Sequence, residues 1–127
     1  VTPNVILSSP QALRLPLRWI AILYGRLQVD LAATSGVHQA EDVIKLLLSG
    51  ASVTMMASAL MRNGIDHLRS VEAGVRHWMT EQEYESVQQM QGSLSMLNSR
   101  DAAAFERAQY MRAINSIPHE YRRTYRY

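Results

Sequence analysis

The chain has 127 residues, of which 47% are apolar and 19% charged, a composition typical of a folded globular domain. Its 13 basic and 11 acidic residues leave a formal charge of +2, which is too small to favour a nucleic-acid partner. The absence of cysteine excludes a disulfide framework, and no apolar run is long enough for a membrane span. We therefore expect a cytoplasmic protein with no membrane partner.

The N-terminal part of the chain predicts a loop followed by a helix. Residues 1–10 contain a short apolar run between prolines and serines, which favours an extended segment that closes in a turn. Apolar residues at 11–24 recur at spacings of three and four, which indicates an amphipathic helix. Pro16 must lie in the first turn of this helix or kink it, and Gly25 should end it.

The next segment predicts a strand, a helix and a second strand. Residues 29–34 and 53–57 are short and mostly apolar or small, as in buried strands. Residues 40–49 place apolar side chains on one helix face, with acidic residues in the first turn and Gly50 at the end. A strand, helix and strand in about thirty residues is typical of a parallel crossover.

The remaining chain predicts helices. An apolar stripe indicates a long helix over residues 65–81, followed by a shorter segment at 83–90. Residues 92–100 are polar and loop-like, and Asp101 can cap a last helix that runs to residue 113. The tryptophans and methionines are interpreted as packing residues, namely Trp19, Trp78, Met55, Met56, Met61 and Met79. The chain is thus a helix-rich α/β protein with two strands.

Two parallel strands do not form an independent sheet, because parallel sheets occur with both faces covered. We therefore expect a partner that completes the sheet, either the remainder of a barrel or a second copy of the chain. In a homo-oligomer, strand side chains such as Ala32, Ala33, Val53 and Met55 would form the contact.

The two strand-to-helix turns are the sharpest local feature. The first corner, residues 34–37, reads Thr-Ser-Gly-Val, and the second corner, residues 57–60, reads Ala-Ser-Ala-Leu. Both should lie at the same edge of the sheet, where small residues allow close approach and free main-chain N–H groups bind anions. Short motifs of this kind are more often plain turn chemistry, so a phosphate site and a simple turn both stay open.

A set of collinear motifs resembles the C-terminal end of dihydroorotate dehydrogenases. The matching segments are LSS at 7–9, AATSGV at 32–37, AEDV at 40–43, LLSGA at 47–51, VTMMASAL at 53–60, YESV at 84–87 and GSL at 92–94. In that family a Gly-Gly-Ile/Val turn precedes an acidic helix that ends in Gly-Ala, and the next strand closes in Gly-Thr-Ala.

The resemblance implies an α/β fold, the C-terminal fragment of a (β/α)8 TIM barrel with its last two βα units and C-terminal helices. One domain, residues 1–127, would comprise a loop at 1–10, βα units at 11–82 and a helical extension and tail at 83–127. A complete barrel needs about 250 residues, so about half of it would lie outside this chain.

The resemblance also implies an FMN-dependent oxidoreductase of pyrimidine biosynthesis. Main-chain amides of both corners would hold the FMN phosphate, and the residues are Ser35, Gly36, Val37, Ala57 and Ser58. Ser35 stands where the family has the first glycine of its pair, and Ala57 and Ser58 stand where Gly-Thr is usual. If glycine is needed there for a positive φ or a close approach, FMN binding is weakened.

Neither a catalytic residue nor a metal site is predicted. The base, lysine and asparagines that the family uses lie on earlier strands, so the chain alone is expected to be inactive. Lys45 falls on the polar side of its helix, and the histidines have no metal-ligand spacing. His38 follows the first corner and is expected to face solvent more often than phosphate.

Three functions therefore stay open. The first is part of a dihydroorotate dehydrogenase-like flavoprotein that contributes half of an FMN site. The second is a catalytically silent protein that covers its incomplete sheet by self-association and binds no cofactor. The third, ranked last, is a helix-rich binding module that uses the arginine- and tyrosine-rich C-terminal tail.

Overall fold

A computed structural model describes residues 6–99 of the chain. A 3-10 turn at Pro10–Leu13 leads into the first helix. The elements that follow are α1 (Arg14–Leu23), β1 (Ala32–Thr34), α2 (Ala40–Ser49), β2 (Val53–Met55), α3 (Ser58–Asn63), α4 (His67–Glu81) and α5 (Val87–Met90). The protein is an α/β fold, rich in helix, with a small parallel sheet.

The two strands pair in parallel, as the sequence predicts. Ala32 lies opposite Val53 and Thr34 lies opposite Met55, with α2 as the connection between the strands. Both strands are shorter than predicted, because the ladder includes only three residues of each. Before the ladder, the main-chain N–H groups of Ser52 and Val53 both donate to the Leu31 carbonyl oxygen.

Local sequence signals define α2 at both ends, and its predicted bounds are confirmed. At its start, Gln39 and Asp42 form a reciprocal capping box with the main chain. At its end, Gly50 has φ +118° and donates to the Leu46 and Leu47 carbonyl oxygens. Its buried apolar residues are Val43, Ile44, Leu46, Leu47 and Leu48. This helix packs against α1, α4 and β2, and its side chains form the centre of the core.

Among residues 6–99, the helices cover one face of the sheet and leave the other exposed. Ala33 is buried against the helices with 1% of its surface exposed, whereas Ala32 and Thr34 on the same strand are exposed. Val53 and Met55 remain 51% and 47% exposed on the other strand. Side chains alternate between the two faces of a strand, so Ala33 lies on the opposite face from Ala32 and does not belong to the predicted homo-oligomer contact. The prediction that Met55 packs in the core was wrong.

The C-terminal end of α1 is anchored by Tyr24. A Cβ atom added to Gly50 would lie 2.3 Å from Tyr24 Cγ, and one added to Gly92 would lie 2.1 Å from Tyr24 Cε1. Tyr24 therefore packs directly on the main chain of both glycines and joins the end of α2 to the segment after α5. Of the two predicted alternatives for Pro16, the structure shows the first, because Pro16 lies in the first turn of α1.

Other differences from the sequence predictions concern the surface. Residues 58–63 form the short helix α3 after the second corner, and α4 begins two residues later than predicted. Trp78 stacks on Tyr84 with ring centroids 5.6 Å apart, whereas Trp19 is 51% exposed and Met61 is 69% exposed. Trp19 and Met61 lie on helix faces that no described element covers. The predicted helix at 101–113 and the tail lie outside the described residues.

Among the helices of residues 6–99, none combines the length and the apolar character that a membrane-spanning helix needs.

We predict that Gly92→Ala lowers the free energy of unfolding by about 2–4 kcal/mol, from backbone strain at positive φ and from the collision with Tyr24. Urea denaturation of Gly92→Ala, Tyr24→Ala and the double variant measures the coupling. We expect about 1–3 kcal/mol of coupling, because removal of the ring leaves only the backbone strain. Additive effects would show that the ring does not restrict this position.

Candidate functional site

The N-terminal loop meets both corners through one residue, Ser8. The Ser8 hydroxyl donates to Ser58 Oγ over 2.9 Å, and the Ser8 main-chain N–H donates to the same oxygen over 3.0 Å. The main-chain N–H of Gly36 donates to Ser8 Oγ over 3.4 Å. One oxygen atom is therefore within hydrogen-bond distance of a main-chain amide in the first corner and a hydroxyl in the second.

The first corner requires an unusual backbone. Both Ser35 and Gly36 have positive φ, +79° and +74° respectively. A Cβ atom on Gly36 would lie 2.2 Å from the Leu13 nitrogen and 2.8 Å from Leu13 Cα, so main chain packs against main chain here. Glycine at position 36 is needed both for its φ and for this close approach to the 3-10 turn. Ser35 adopts the left-handed conformation, which costs an L-residue about 1–2 kcal/mol.

The second corner places no such demand on its residues. Ala57 has φ −122° and ψ −51°, and its side chain is exposed. A negative φ of this size is open to any L-residue, so the departure from glycine at position 57 introduces no φ strain. Ser58 begins α3, and its hydroxyl oxygen is the acceptor for Ser8.

His38 is buried, with 9% of its surface exposed, so the expectation that it faces solvent was wrong. Its Nε2 lies 3.1 Å from the Ser8 carbonyl oxygen, and His67 Nε2 lies 2.8 Å from the His38 carbonyl oxygen. Because a carbonyl oxygen only accepts, Nε2 of His38 and Nε2 of His67 must each carry the hydrogen in these contacts. The ring of His38 therefore holds the N-terminal loop against the first corner, and His67 connects α4 to it.

The main-chain N–H groups of His38 and Gln39 both donate to Asp42 Oδ2, over 3.0 and 3.1 Å. The carboxylate thus stabilises the start of α2, where negative charge suits the helix dipole. It also places negative charge near the first corner. Lys45 is exposed on the same helix, in agreement with its predicted surface position.

Val37 is a core residue with 2% of its whole surface exposed, so its side chain is not available to this region. Ser35 and Thr34 line an adjacent cavity of about 520 Å³ between the first corner and α1. Leu15, Pro16 and Trp19 line the α1 side of this cavity. Within residues 6–99, no three His, Asp or Glu side chains are close enough to hold a metal ion.

Sequence reasoning identified both corners but missed the residues that join them. Ser8 was noted only as part of a family motif, and His67 only as a histidine without metal-ligand spacing. No local pattern indicates either role, because the Ser8 contacts span 28 to 50 residues of sequence and the His67 contact spans 29.

Curated relatives match a part of the chain. A protein of Aeropyrum pernix named as dihydroorotate dehydrogenase A (fumarate) is 31% identical over 70 residues, which are 55% of this chain and 23% of that protein. The catalytic subunits of dihydroorotate dehydrogenase B (NAD(+)) from Pyrococcus furiosus and Pyrococcus abyssi are each 26% identical over 85 residues, 67% of this chain and 28% of theirs. No protein-family model matches the chain.

The chain is therefore similar to dihydroorotate dehydrogenases over more than half of its own length. It spans about a quarter of the length of these relatives.

We predict opposite effects for glycine at the two positions where the family's pattern has it. Ser35→Gly should raise the free energy of unfolding by about 0.5–1 kcal/mol, because relief of strain at positive φ exceeds the added freedom of the unfolded chain. Ala57→Gly should lower it by about 0.5–1 kcal/mol, because φ is already favourable and only the added freedom counts. Thermal and urea unfolding measure both, and equal signs would contradict this account of the corners.

Proposed function

We propose that the chain is the C-terminal part of a dihydroorotate dehydrogenase-like flavoprotein oxidoreductase and contributes its FMN phosphate-binding loops. The supporting observation is the contact of one oxygen, Ser8 Oγ, with Gly36 in the first corner and Ser58 in the second. A phosphate oxygen at this position would have a main-chain N–H and a hydroxyl as donors. The partial similarity to dihydroorotate dehydrogenases supports the same assignment.

The residues at the corners fit a phosphate group in their chemistry. Main-chain N–H groups of Ser35, Gly36, Val37, Ala57 and Ser58 would hold the phosphate, together with the Ser58 hydroxyl. Replacement of the family's glycines changes no main-chain donor, since serine and alanine keep the N–H group. The exposed side chain of Ala57 leaves the second corner accessible.

The role of this chain is binding and orientation. FMN would supply the redox chemistry, and the corners would fix the position of its phosphate against the sheet edge. The carboxylate that contacts the first corner, that of Asp42, is already engaged by two main-chain N–H groups. We therefore propose that proton removal from a substrate requires residues outside this segment.

The proposal is tested by FMN titration of wild type, Ala57→Asp and Ala57→Asn. Position 57 precedes α3, where Asp and Asn are comparable caps, so the two variants differ mainly in charge. We expect Ala57→Asp to bind FMN at least about tenfold more weakly than Ala57→Asn, because its carboxylate repels the phosphate. Flavin fluorescence measures the affinity, and riboflavin, which has no phosphate, serves as the control ligand.

Equal affinities of the two variants for FMN, or a wild-type chain that binds FMN no better than riboflavin, would contradict the proposed site. Gly36→Val should also abolish FMN binding. Its side chain would collide with the main chain at Leu13, so this variant does not separate binding from folding.

A second candidate function is self-association without a cofactor. The exposed sheet face supports it, since Ala32, Val53 and Met55 form an apolar surface on strands of a kind that is usually covered on both sides. A second copy of the chain that packs on this face would bury it.

We predict that light scattering of the wild-type chain gives the mass of an oligomer and that Met55→Glu shifts it to the monomer. A charge buried in an apolar interface is costly, which is the reason for the shift. Met61→Glu is the control, because Met61 is an exposed methionine on α3 outside the sheet. A wild-type monomer at all concentrations, or equal behaviour of the two variants, would contradict self-association through this face.

A further inference from the structure

The Ser8 hydroxyl lies between two residues that the proposed function assigns to a phosphate, Gly36 and Ser58. It accepts from the Gly36 main-chain N–H and donates to Ser58 Oγ. Two further bonds hold Ser8 in place, its own N–H to Ser58 Oγ and its carbonyl oxygen to His38 Nε2. The N-terminal loop is thus fastened across both corners by four hydrogen bonds of a single residue.

These contacts differ in strength in a way that bears on exchange with a ligand. The bond from Gly36 to Ser8 Oγ is 3.4 Å long, at the weak end of the range, whereas the other three are 2.9–3.1 Å. A phosphate oxygen carries negative charge and forms shorter, stronger bonds to main-chain N–H groups than a neutral hydroxyl does. The Gly36 amide is therefore held by a neutral acceptor that a phosphate oxygen can replace.

We propose that Ser8 is an internal latch whose hydroxyl competes with a phosphate monoester for the two corners. The inference rests on the proposed function and adds a conformational control to it. While the latch is closed, Ser8 Oγ accepts the Gly36 main-chain N–H and lies beside Ser58 Oγ, to which it donates. Binding therefore requires the Ser8 side chain to move away. The apparent affinity for the phosphate is reduced by the fraction of molecules in which the latch is closed.

His38 and His67 act as positioning residues for this latch. His38 Nε2 holds the Ser8 carbonyl oxygen, and His67 Nε2 holds the His38 carbonyl oxygen over 2.8 Å. Both bonds involve main-chain oxygens and survive a change of the Ser8 side chain. A Ser8→Ala variant consequently loses the two contacts of the hydroxyl and keeps the two contacts of the main chain.

The test compares wild type, Ser8→Ala and Ser8→Thr by titration with FMN and with riboflavin. We expect Ser8→Ala to bind FMN about three- to tenfold more tightly, the ratio that the loss of one competing hydrogen bond gives. Ser8→Thr, which keeps the hydroxyl, should bind FMN like wild type, and riboflavin should not distinguish the three proteins. Urea denaturation of each variant shows that the fold is retained.

Equal or weaker FMN binding by Ser8→Ala would overturn the latch, and weaker binding would make Ser8 a ligand-binding residue instead. If no variant prefers FMN to riboflavin, the proposed function fails, and hydrogen exchange still tests the latch. The Gly36 amide should then exchange at least about threefold faster in Ser8→Ala than in wild type or Ser8→Thr, because its acceptor is gone. Equal exchange in all three would overturn the latch independently of any flavin.

Discussion

Packing of α2 against one face of two parallel strands is the constraint on which the other features depend. The helix is buried along its apolar side, with Leu46 fully enclosed, and α1 and α4 pack on it. A parallel connection brings the carboxyl ends of both strands to one edge, so the two corners must be neighbours. Within residues 6–99 it also leaves the opposite face of the sheet exposed. The closeness of the two corners and the exposure of one sheet face therefore have the same cause, the packing of α2 against the other face.

The corners show how the main chain can tolerate changes in a motif. At the first corner, Gly36 is held in place by its φ and by main-chain contact with the 3-10 turn, and Ser35 accepts a strained φ beside it. At the second corner, Ala57 has an ordinary φ. A residue other than glycine therefore costs conformational free energy at position 35 and introduces no φ strain at position 57. Main-chain donors are retained in both, which is the property that an anion-binding turn requires.

Both candidate functions account for the same exposed surface. The chain spans about a quarter of the length of the dihydroorotate dehydrogenases that it matches, and the described residues 6–99 form a sheet of two strands with Val53 and Met55 exposed. In the flavoprotein proposal, further strands would cover this surface, and in the self-association proposal a second copy would. The Ser8 contacts lie elsewhere, at the edge of the sheet that carries the two corners. They tie the N-terminal loop to residues that the crossover has brought together.

The sequence by itself determined the features that local interactions control. Capping residues and periodicity specify α2 to the residue, and Pro16 and Gly50 lie where their restricted or permissive backbones place them. The parallel order of the strands follows from the helix between them. Only the tertiary structure decided that His38 is buried, that Met55 and Trp19 are exposed, and that Ser8 joins the corners. These features depend on residues that are distant in sequence, or on which face of an element the other elements cover. A local sequence pattern does not specify which distant residues will pack against a given position.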